Sequence, residues 1–595
     1  MRTRSGRRLG RAVWHWVAAC SLVLGAVLFA RGVFVQADPA AAWPSWAWLV
    51  PGLAEQGEAA MRKQAETAQR EGNFRDAYEL YEKLILDSAT DPRLVGGDLR
   101  NAWQCLARLN RIKEIDALLE KAVEVHAENW RLLQTAAELY VEIPHQGFKI
   151  AGTFERGPHR GGGESVNSYE RDRVRALQLM RQAMKSADRD DRKDEVARFY
   201  LKFAQLLLGN RGYSEAWRLQ ALTDLETLPD YEPGWGYYGG VRGAPVDEQN
   251  KPVLYTVPDS FDAAASDGQR WRWCLTQAVE MDPNLRDQVD HQFASFLYNQ
   301  FGVHTMADYG WFFRGLETSD DERAQTWALH KLSDDETIAR LATGIQRFTL
   351  PDEFNYIKIW QRLAENPKTS WGRAALSQLV EVYLNRRQYD RAAEALRTLI
   401  AGAQGREKEN LQRRLDQIVG NWGRFEPRMT QPAGKGATVD FRFRNGDQVT
   451  FTAWELKIDV LLDDVKAYLK SNPGRVDWNK IQIDNIGYDL VRGQREKYRG
   501  EQVAKWDLAL EPRPNHFDRR ITVTTPLQKA GAYLLESKMA DGNTSFIVLW
   551  VADTAIVKKP LSDRQWIYVA DAVSGDPVPK ANVEFFGWRQ RHVSG

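Results

Sequence analysis

The chain is poor in the residues from which disulfide scaffolds and helix-borne metal sites are built. Among its 595 residues there are 3 cysteines and 9 histidines, and no two histidines stand four residues apart. Neither the His-Glu-Xaa-Xaa-His motif of zinc proteases nor the Gly-Xaa-Ser-Xaa-Gly motif of serine hydrolases occurs in it. These absences argue against both enzyme classes. We therefore predict that the chain is not an enzyme and that it holds no cofactor and no metal.

The chain also lacks an excess of charge of either sign. It carries 81 Lys and Arg against 80 Asp and Glu, which gives a net charge of +1. Proteins that bind nucleic acid usually show a strong basic excess, so no nucleic-acid partner is predicted. Tryptophan, in contrast, is abundant, with 22 residues. Because a large ring is costly to leave in water, we expect most of them in helix-pair cores.

Several polar features could carry chemistry, and for each the sequence favours a structural role. His291 lies in a helical pattern and is expected to be a partly exposed helix residue rather than a base. Asp463 and Asp464 are adjacent, so on a helix they point to different faces and are expected to be solvated. The mixed-charge run at 189–195 predicts a solvent-facing turn and helix start.

Residues 1–37 are typical of an export signal. Five arginines precede residue 12, and a mostly apolar run extends from Ala12 to Ala30. Small residues then predict signal-peptidase cleavage between Ala37 and Asp38. Two alternatives stay open: the apolar run remains in the bilayer as an anchor, or Cys20 is the lipidated residue of a lipoprotein signal. In each case we expect an exported protein of the periplasm or cell envelope.

The other two cysteines, Cys105 and Cys274, both lie in helical patterns. A cysteine in such a position is usually a small buried hydrophobe. A chain of this length can build large apolar cores, so it needs no disulfide framework even when it is exported. A disulfide between the two remains an alternative.

Residues 55–418 show a helical period with tetratricopeptide-like repeats. In the best copy, Gly72 permits a tight turn between two helices and Ala77 allows their close approach. A looser copy starts at Asn110 and a good one at Arg387, and a partial match surrounds Gly212. Apolar residues follow the three clearer turns at offsets of five and nine residues: Ala77, Tyr81, Ile115, Leu119, Ala392 and Leu396. This pattern predicts a curved α-solenoid.

Two inserts interrupt the helical pattern. The first, at 143–168, contains a glycine-rich run that lacks the Gly-Lys-Ser/Thr ending of a phosphate-binding loop, so a surface loop is expected. The second, at 231–266, brings together Trp235, Tyr237 and Tyr238. Such a cluster either clasps a ligand or plugs the end of the helical stack, and we favour the plug.

The period changes at Gly420, where an antiparallel β region begins. Residues 419–436 are expected to be a linker. Residues 437–559 then alternate, and Asn445-Gly446 predicts a two-residue hairpin turn between strands at 441–443 and 449–451. One helix and further strands complete a predicted β-sandwich. The strands are expected near 481–483, 506–510, 521–523, 533–535 and 546–550.

Residues 560–595 resemble the start of another sandwich. Trp566, Tyr568 and Ala570 share one face of a strand, Ser574–Pro577 predicts a turn, and Ala581, Val583 and Phe585 predict the return strand. The predicted fold class is therefore multidomain, α then β: an α-solenoid, a sandwich and the truncated start of a second sandwich. Since two strands cannot cover a core, we expect the chain to be the front part of a larger protein.

The strand segments resemble the macroglobulin-like domains of bacterial alpha-2-macroglobulins. The similar segments are Phe441–Gly446, Thr525–Leu534 and Phe546–Trp550 with residues 551–559. Residues 566–583 look like the opening of the next macroglobulin-like domain. One branch of that family carries helical repeats before its first sandwich, and residues 243–253 and 266–273 are similar to that branch.

This resemblance implies an exported protease trap, in which a protease cuts a bait segment and the chain collapses around it. Proteases would be its partners, and the helical repeats would be a docking or spacer module. Many family members also form a thioester within a Cys-Xaa-Glu-Gln motif. None of the cysteines here is followed by Glu-Gln at that spacing, so no thioester residue is assigned.

A second hypothesis is a self-contained exported adaptor whose repeats bind envelope proteins. It would contact the membrane through the N-terminal segment if that segment stays uncleaved. The unpaired apolar strands after Lys559 argue against it, because such edges invite aggregation.

Overall fold

The computed structural model describes residues 51–212, 215–236, 243–303, 328–427, 430–471, 474, 477 and 495–583. Helices dominate the described chain as far as Val419 and sheets follow, which confirms the predicted order of α then β. The helices are α1 (Pro51–Arg70), α2 (Phe74–Ile85), α3 (Val95–Arg108), α4 (Ile115–Val125), α5 (Trp130–Glu142), α6 (Tyr169–Ala187), α7 (Lys193–Leu208), α8 (Asp267–Met281), α9 (Arg286–Phe301), α10 (Tyr356–Ala364), α11 (Ser370–Asn385), α12 (Tyr389–Ala401), α13 (Gly405–Val419) and α14 (Ile458–Lys470).

Three predicted repeat turns share one backbone conformation. Gly72, Asn110 and Arg387 have positive φ values of 86°, 57° and 55°. In each case the next residue donates its N–H to the carbonyl five residues before it, over 2.8, 2.9 and 2.8 Å. This left-handed turn ends a helix and satisfies its last carbonyls. The sequence prediction of a chain reversal is confirmed at all three positions.

Fully buried side chains follow these turns at the predicted offsets. The six residues at offsets of five and nine all have an exposed fraction of 0%. After Asn110 a single 3-10 turn, Ile112–Glu114, precedes α4. Each repeat therefore turns the same two positions into the helical core.

The partial repeat around Gly212 does not form a helix pair. Gly209, with a φ of 46°, ends α7, and the chain continues in the short 3-10 turns Gly209–Gly212 and Ala216–Gln220. Ala216 is buried as the pattern predicts, but it lies in the second 3-10 turn rather than in a helix. A left-handed residue cannot continue an α-helix, which explains the difference.

The first insert contains a small sheet, and its glycine-rich run at 157–163 is a mostly exposed loop between two of the strands, as predicted. Its strand β1 (Gln146–Ile150) pairs antiparallel with β2 (Thr153–Arg156) and with β3 (Glu164–Asn167). A short strand, β4 (Glu232–Pro233), joins the other edge of β3. The strands around this loop were not predicted, because each has only four or five residues. They are also anchored by a buried charged residue rather than by an alternating apolar face.

The second insert divides between core and surface. Trp235 has an exposed fraction of 70%, so it does not form the predicted plug. Tyr237 and Tyr238 lie outside the described residues. Tyr255 and Phe261, from the same insert, are buried in the helical core instead.

A hairpin of β5 (Glu336–Leu341) and β6 (Gly344–Thr349) lies between α9 and α10 and was not predicted. It is held by side chains from distant helices rather than by a local signal. Arg386, with an exposed fraction of 1%, donates hydrogen bonds to the carbonyls of Ser333 and Glu336.

Both cysteines of the helical region are buried and free, as predicted for small hydrophobes. Cys105 and Cys274 each have an exposed fraction of 0%. Burial raises the pKa of the Cys105 thiol to about 11. Three tryptophans, Trp130, Trp271 and Trp360, are also buried in the helical core.

Two sheets share one apolar core after α13. Strand order is β11-β10-β13-β14-β8 in the larger sheet and β12-β9-β7 in the smaller. Neighbours are antiparallel except β14 and β8. Phe441 of the smaller sheet meets Phe451 of the larger at 5.4 Å between ring centres. The strands are β7 (Trp422–Phe425), β8 (Gln431–Pro432), β9 (Thr438–Arg444), β10 (Gln448–Leu456), β11 (Arg499–Ala509), β12 (Arg519–Thr524), β13 (Gly531–Met539) and β14 (Thr544–Ala552).

Asn445-Gly446 carries the chain from one sheet to the other, so the predicted hairpin is wrong. β9 pairs with β12 and β7, whereas β10 pairs with β11 and β13. Asn445 has the expected positive φ of 61°, but Gly446 does not. A Cβ at Gly446 would lie 2.4 Å from the Met539 Cε, so this glycine permits a close approach. In both strands every second residue is apolar and faces the shared core. In the sequence, this alternation on either side of Asn445-Gly446 looks the same as that of a hairpin.

The segment at 419–436 is not a linker, because it contributes β7 and β8. Phe425 of β7 is buried and its ring centre lies 5.5 Å from that of Phe441. Prolines and glycines surround these short strands, and because such residues are typical of turns, the sequence indicates a linker instead. The predicted helix is α14, in which Leu461 is buried. The strand predicted at Ile481 and Ile483 lies outside the described residues.

The repeat turn gives a test with a matched pair of glycines. We expect Gly72→Ala to lower the free energy of unfolding by about 1 kcal/mol, because alanine is strained at positive φ. Gly97, inside α3, has open space around it just as Gly72 does. There, Gly97→Ala should raise stability by up to about 1 kcal/mol, since alanine is the better helix former. Urea unfolding followed by circular dichroism measures both, and equal signs would contradict the turn assignment.

Candidate interaction surfaces

The predicted processing residues Cys20, Ala37 and Asp38 lie outside the described residues. Within the described ranges, we find no helix that combines the length and the apolar character needed to cross a bilayer. Cleavage, anchoring and lipidation therefore stay predictions.

His291 lies on α9 and is half-buried beside aromatic rings. Its ring centre is 5.2 Å from that of Trp371 and 6.2 Å from that of Trp360. The buried Nε2 has no hydrogen-bond partner among the described groups, and burial lowers the pKa of the imidazole. The structure places no nucleophile against this nitrogen among those groups. The arrangement is that of a packed helix residue.

Asp463 and Asp464 have different surroundings, as expected for adjacent helix residues. Asp464 accepts hydrogen bonds from the Lys497 ammonium and, at 2.7 Å, from the Tyr498 hydroxyl. These donors lower the pKa of Asp464. Asp463 is exposed on α14. The two carboxylates therefore do not form a paired acid–base site.

The charged run at 189–195 ties two helices together, which the prediction of a solvent-facing turn missed. Asp190 and Glu195 lie 2.8 and 2.6 Å from the guanidinium of Arg131 on α5. The Trp130 ring N–H also donates to Asp190, over 3.1 Å. Burial would raise the pKa of Asp190, but hydrogen bonds from the Arg192 backbone, Arg131 and Trp130 outweigh it and lower the pKa.

A buried cluster of charges anchors the small sheet to α4 and α6. The guanidinium of Arg156, at the end of β2, lies 2.7 Å from Asp116 and 2.8 Å from Asp172. Asp172 also accepts hydrogen bonds from the Ser168 hydroxyl at 2.6 Å and from the His145 Nδ1 at 2.8 Å. Sequence reasoning missed this cluster because its members are spread over residues 116–172 with no motif spacing.

The cluster resembles a catalytic triad in composition but not in geometry. Asp172, not His145, accepts the hydrogen bond of Ser168, so the imidazole is not placed as the base that a triad uses to activate the hydroxyl. Burial alone would raise the pKa of Asp172, but hydrogen bonds from His145, Arg156 and Ser168 lower it. The cluster therefore holds the sheet in place.

Among the described residues, the largest group of exposed apolar side chains lies in and just after a two-stranded ribbon that follows the larger sheet. Its strands β15 (Thr554–Pro560) and β16 (Gln565–Asp571) pair only with each other among the described strands. Every residue of β15 is exposed. Large exposed apolar side chains are concentrated here: Ile556, Val557, Leu561, Trp566, Val573, Val578 and Val583.

Both faces of this ribbon carry apolar side chains. On one face, Ile556 stands opposite Val569. On the other, Val557 stands opposite Tyr568, whose ring stacks on Trp566 with 5.8 Å between ring centres. The shared face of Trp566, Tyr568 and Ala570 is as predicted. A ribbon of two strands is marginally stable alone, so these faces are suited to being covered by further strands.

The turn predicted after β16 is present, and as far as residue 583, where the described chain ends, no return strand has formed. The Gly575 φ is 78°, and Pro577 forms a single bridge with Ala570. Ala581 and Val583 are not in a strand, and Phe585 lies outside the described residues.

No protein-family model matches this sequence, and a search of curated proteins finds none that matches it. Solved structures similar to the chain include native alpha-2-macroglobulin from Escherichia coli spanning domains MG0-NIE-MG1, at 15% identity and a TM-score of 0.19. That match covers 27% of this chain and 47% of the other, which is less than half of its length. A shorter crystal structure of the same protein, spanning NIE-MG1, matches at 15% identity over 27% of this chain and 74% of that one, with a TM-score of 0.18.

A further solved structure matches a larger share of the chain. The assembly chaperone of RpL4, Acl4, matches at 12% identity over 61% of this chain and 96% of its own, with a TM-score of 0.22. At such identities and TM-scores these similarities carry no information about activity.

The buried cluster gives a test of what anchors the small sheet. We expect Arg156→Met to cost about 3–5 kcal/mol, because it leaves Asp172 buried without its guanidinium partner. Arg160→Met, in the same insert but at an exposed position, should change stability by less than about 0.5 kcal/mol. Chemical denaturation at pH 7 measures both. A small effect for Arg156→Met would show that the sheet is held by other contacts.

The ribbon gives a test of exposed apolar surface. We expect the purified chain to self-associate, and the double variant Ile556→Thr with Val557→Thr to do so less while keeping its strands. Val503→Thr on β11, at another exposed apolar position, serves as the control and should have no such effect. Concentration-dependent light scattering measures association. If the control reduces it as much as the double variant, the ribbon is not the associating surface.

Proposed function

We propose that this chain is the N-terminal part of an exported alpha-2-macroglobulin-like protease trap, an endopeptidase inhibitor. In this proposal the helix pairs form a curved α-solenoid that docks proteins or acts as a spacer. The two sheets form the first macroglobulin-like sandwich, and the ribbon starts the second.

The observation that carries the proposal is the ribbon that directly follows the two-sheet domain. A single residue, Asp553, separates the end of β14 from the start of β15. Both faces of the ribbon present apolar side chains that nothing described covers. A series of sheet domains, each continuing from the last, would cover them. Such a series is the architecture that the sequence resemblance implies.

The segments that carry the resemblance meet in one domain, which also supports the proposal. Phe441 and Phe443 lie on β9, and Phe546–Trp550 lies on β14. In the third segment, the Tyr533 hydroxyl donates to the carbonyl of Lys529 over 2.8 Å, which closes the corner before β13. A tyrosine bonded to the backbone a few residues upstream also fixes corners in other β-sandwiches.

Proteases are the partners that this proposal names. Envelope proteins are candidate partners for the helical repeats, and the N-terminal segment would contact the membrane if it stays uncleaved. The protein would act in the periplasm or cell envelope. It would need no cofactor, because trapping is a conformational event and not a reaction of this chain.

The experiment that tests the proposal uses the native protein, captured from envelope fractions by an antibody against residues 440–560. Its mass is measured first, and a trap should be several times heavier than expected for 595 residues. It is then incubated with an endopeptidase. A trapped protease should lose activity on a large protein substrate and keep activity on a small peptide, because its active site stays open inside the cage.

Two results would overturn the proposal. The first is a native mass near that of 595 residues, which would favour the self-contained adaptor. The second is equal cleavage of the large and the small substrate with and without the protein.

A further inference from the structure

The helical region and the sheets meet at a small junction centred on Asn445. Its side-chain nitrogen donates to the carbonyls of Ile418 and Gly420, over 2.8 and 2.9 Å, where α13 ends. Its side-chain oxygen lies 2.8 Å from the Nδ1 of His516, in the turn between β11 and β12. Because the nitrogen already faces two carbonyls, the oxygen accepts and Nδ1 donates. The amide group of Asn445 is therefore bonded to two distant parts of the chain.

The geometry of the junction determines both residues of the Asn445-Gly446 pair. Position 445 needs a side chain that donates two hydrogens and accepts one, and its φ of 61° is a conformation that asparagine tolerates. Position 446 needs glycine, because a Cβ there would lie 2.4 Å from the Met539 Cε. The fold thus requires an Asn-Gly pair at this place, and it is the only such pair in the sequence.

An Asn-Gly pair is chemically labile, because glycine has no side chain to hinder attack by its own backbone nitrogen. In deamidation, the Gly446 nitrogen would lose its proton and bond to the Asn445 Cγ, and the side-chain nitrogen would leave as ammonia. The succinimide ring that forms then takes up one water molecule and opens. Cleavage of the new bond gives aspartate, and cleavage of the original peptide bond gives isoaspartate.

The closed junction holds the groups that this reaction needs. The Gly446 nitrogen is buried and donates to the Arg444 carbonyl over 2.8 Å. The nitrogen that would leave is the one that donates to Ile418 and Gly420. Attack therefore has to break all three of these hydrogen bonds. The protection lies in the two nitrogens rather than in the oxygen, because a donor on the oxygen polarises Cγ towards attack.

We propose that Asn445 is a deamidation site that the closed junction protects, and that deamidation prevents the junction from closing again. Opening of the junction frees both nitrogens to react. The product carries a carboxylate, which has no hydrogen to donate to the two carbonyls at the end of α13 and repels them. The carboxylate still accepts from His516, so only the side of the junction that faces α13 is lost. This proposal does not depend on the proposed trap function.

A neighbouring contact allows the junction to be loosened without changing the reacting pair. Asn421, just after α13, donates its side-chain N–H to the Ala540 carbonyl over 2.7 Å. It also forms a bridge with Gly542, in the turn between β13 and β14. Removing this amide group should let the end of α13 leave the sheets more often.

The first test measures deamidation at Asn445 by peptide mass spectrometry after incubation at pH 8. We expect the folded chain to react at least an order of magnitude more slowly than the same chain in guanidinium chloride. Asn421→Ala should speed the reaction of the folded chain several-fold, the effect of losing one hydrogen bond. Asn410→Ala, the same substitution at an exposed position on α13, is the matched control and should leave the rate unchanged.

The second test uses Asn445→Asp, which has the side chain of the product. Amide hydrogen exchange at pH 7 should show several-fold weaker protection of peptides covering 416–424. Peptides covering 512–520 should change less, because the contact with His516 survives, and β13 should not change. Asn410→Asp is the control and should match the wild-type chain. Circular dichroism establishes that every variant remains folded.

Three outcomes would overturn the proposal. Equal deamidation rates in the folded and the unfolded chain would show that the junction gives no protection. Equal rates in Asn421→Ala and Asn410→Ala would show that the end of α13 does not control the reaction. Unchanged protection of 416–424 in Asn445→Asp would show that the product still closes the junction.

Discussion

The side chain of Asn445 is the constraint on which the arrangement of the two regions depends. Its left-handed backbone turns the chain from the smaller sheet into the larger one. Its amide group ends α13 and meets the turn at His516. A helix end, a crossing between sheets and a distant loop are therefore fixed by one residue. A residue without a side-chain donor at this position would leave the carbonyls of Ile418 and Gly420 without this hydrogen bond.

Features with local signals were predictable from the sequence, and features that depend on distant pairing were not. The turns at Gly72, Asn110 and Arg387 were found because a helix reversal needs only neighbouring residues. The hairpin at Asn445 was wrong because the partner of β9 is β12, far along the chain. The same holds for the interaction surfaces. The face shared by Trp566 and Tyr568 follows from strand alternation, whereas the contact between Asn445 and His516 joins residues that are 71 positions apart.

Arginine–carboxylate pairs repeatedly join elements that are far apart in sequence. Arg131 joins α5 to Asp190 and Glu195, Arg156 joins the small sheet to two helices, and Arg391 of α12 reaches Asp334. A planar guanidinium can bind two carboxylates in fixed directions, which makes it suited to such positions. The apolar core stabilises the packing of the helices, and these ion pairs determine which elements contact each other.

The near-continuous path from β14 into β15 also gives the molecule a mechanical property. Only Asp553 separates the two strands, so tension applied to the ribbon passes along the axis of β14. β14 is bonded along its length to β13 and near its end to β8. A load in this direction strains many backbone hydrogen bonds at once instead of opening them in sequence like a zipper. The larger sheet would thus transmit a pull on the ribbon as a stiff element. The segments that connect the sheet to its neighbours on either side would deform first.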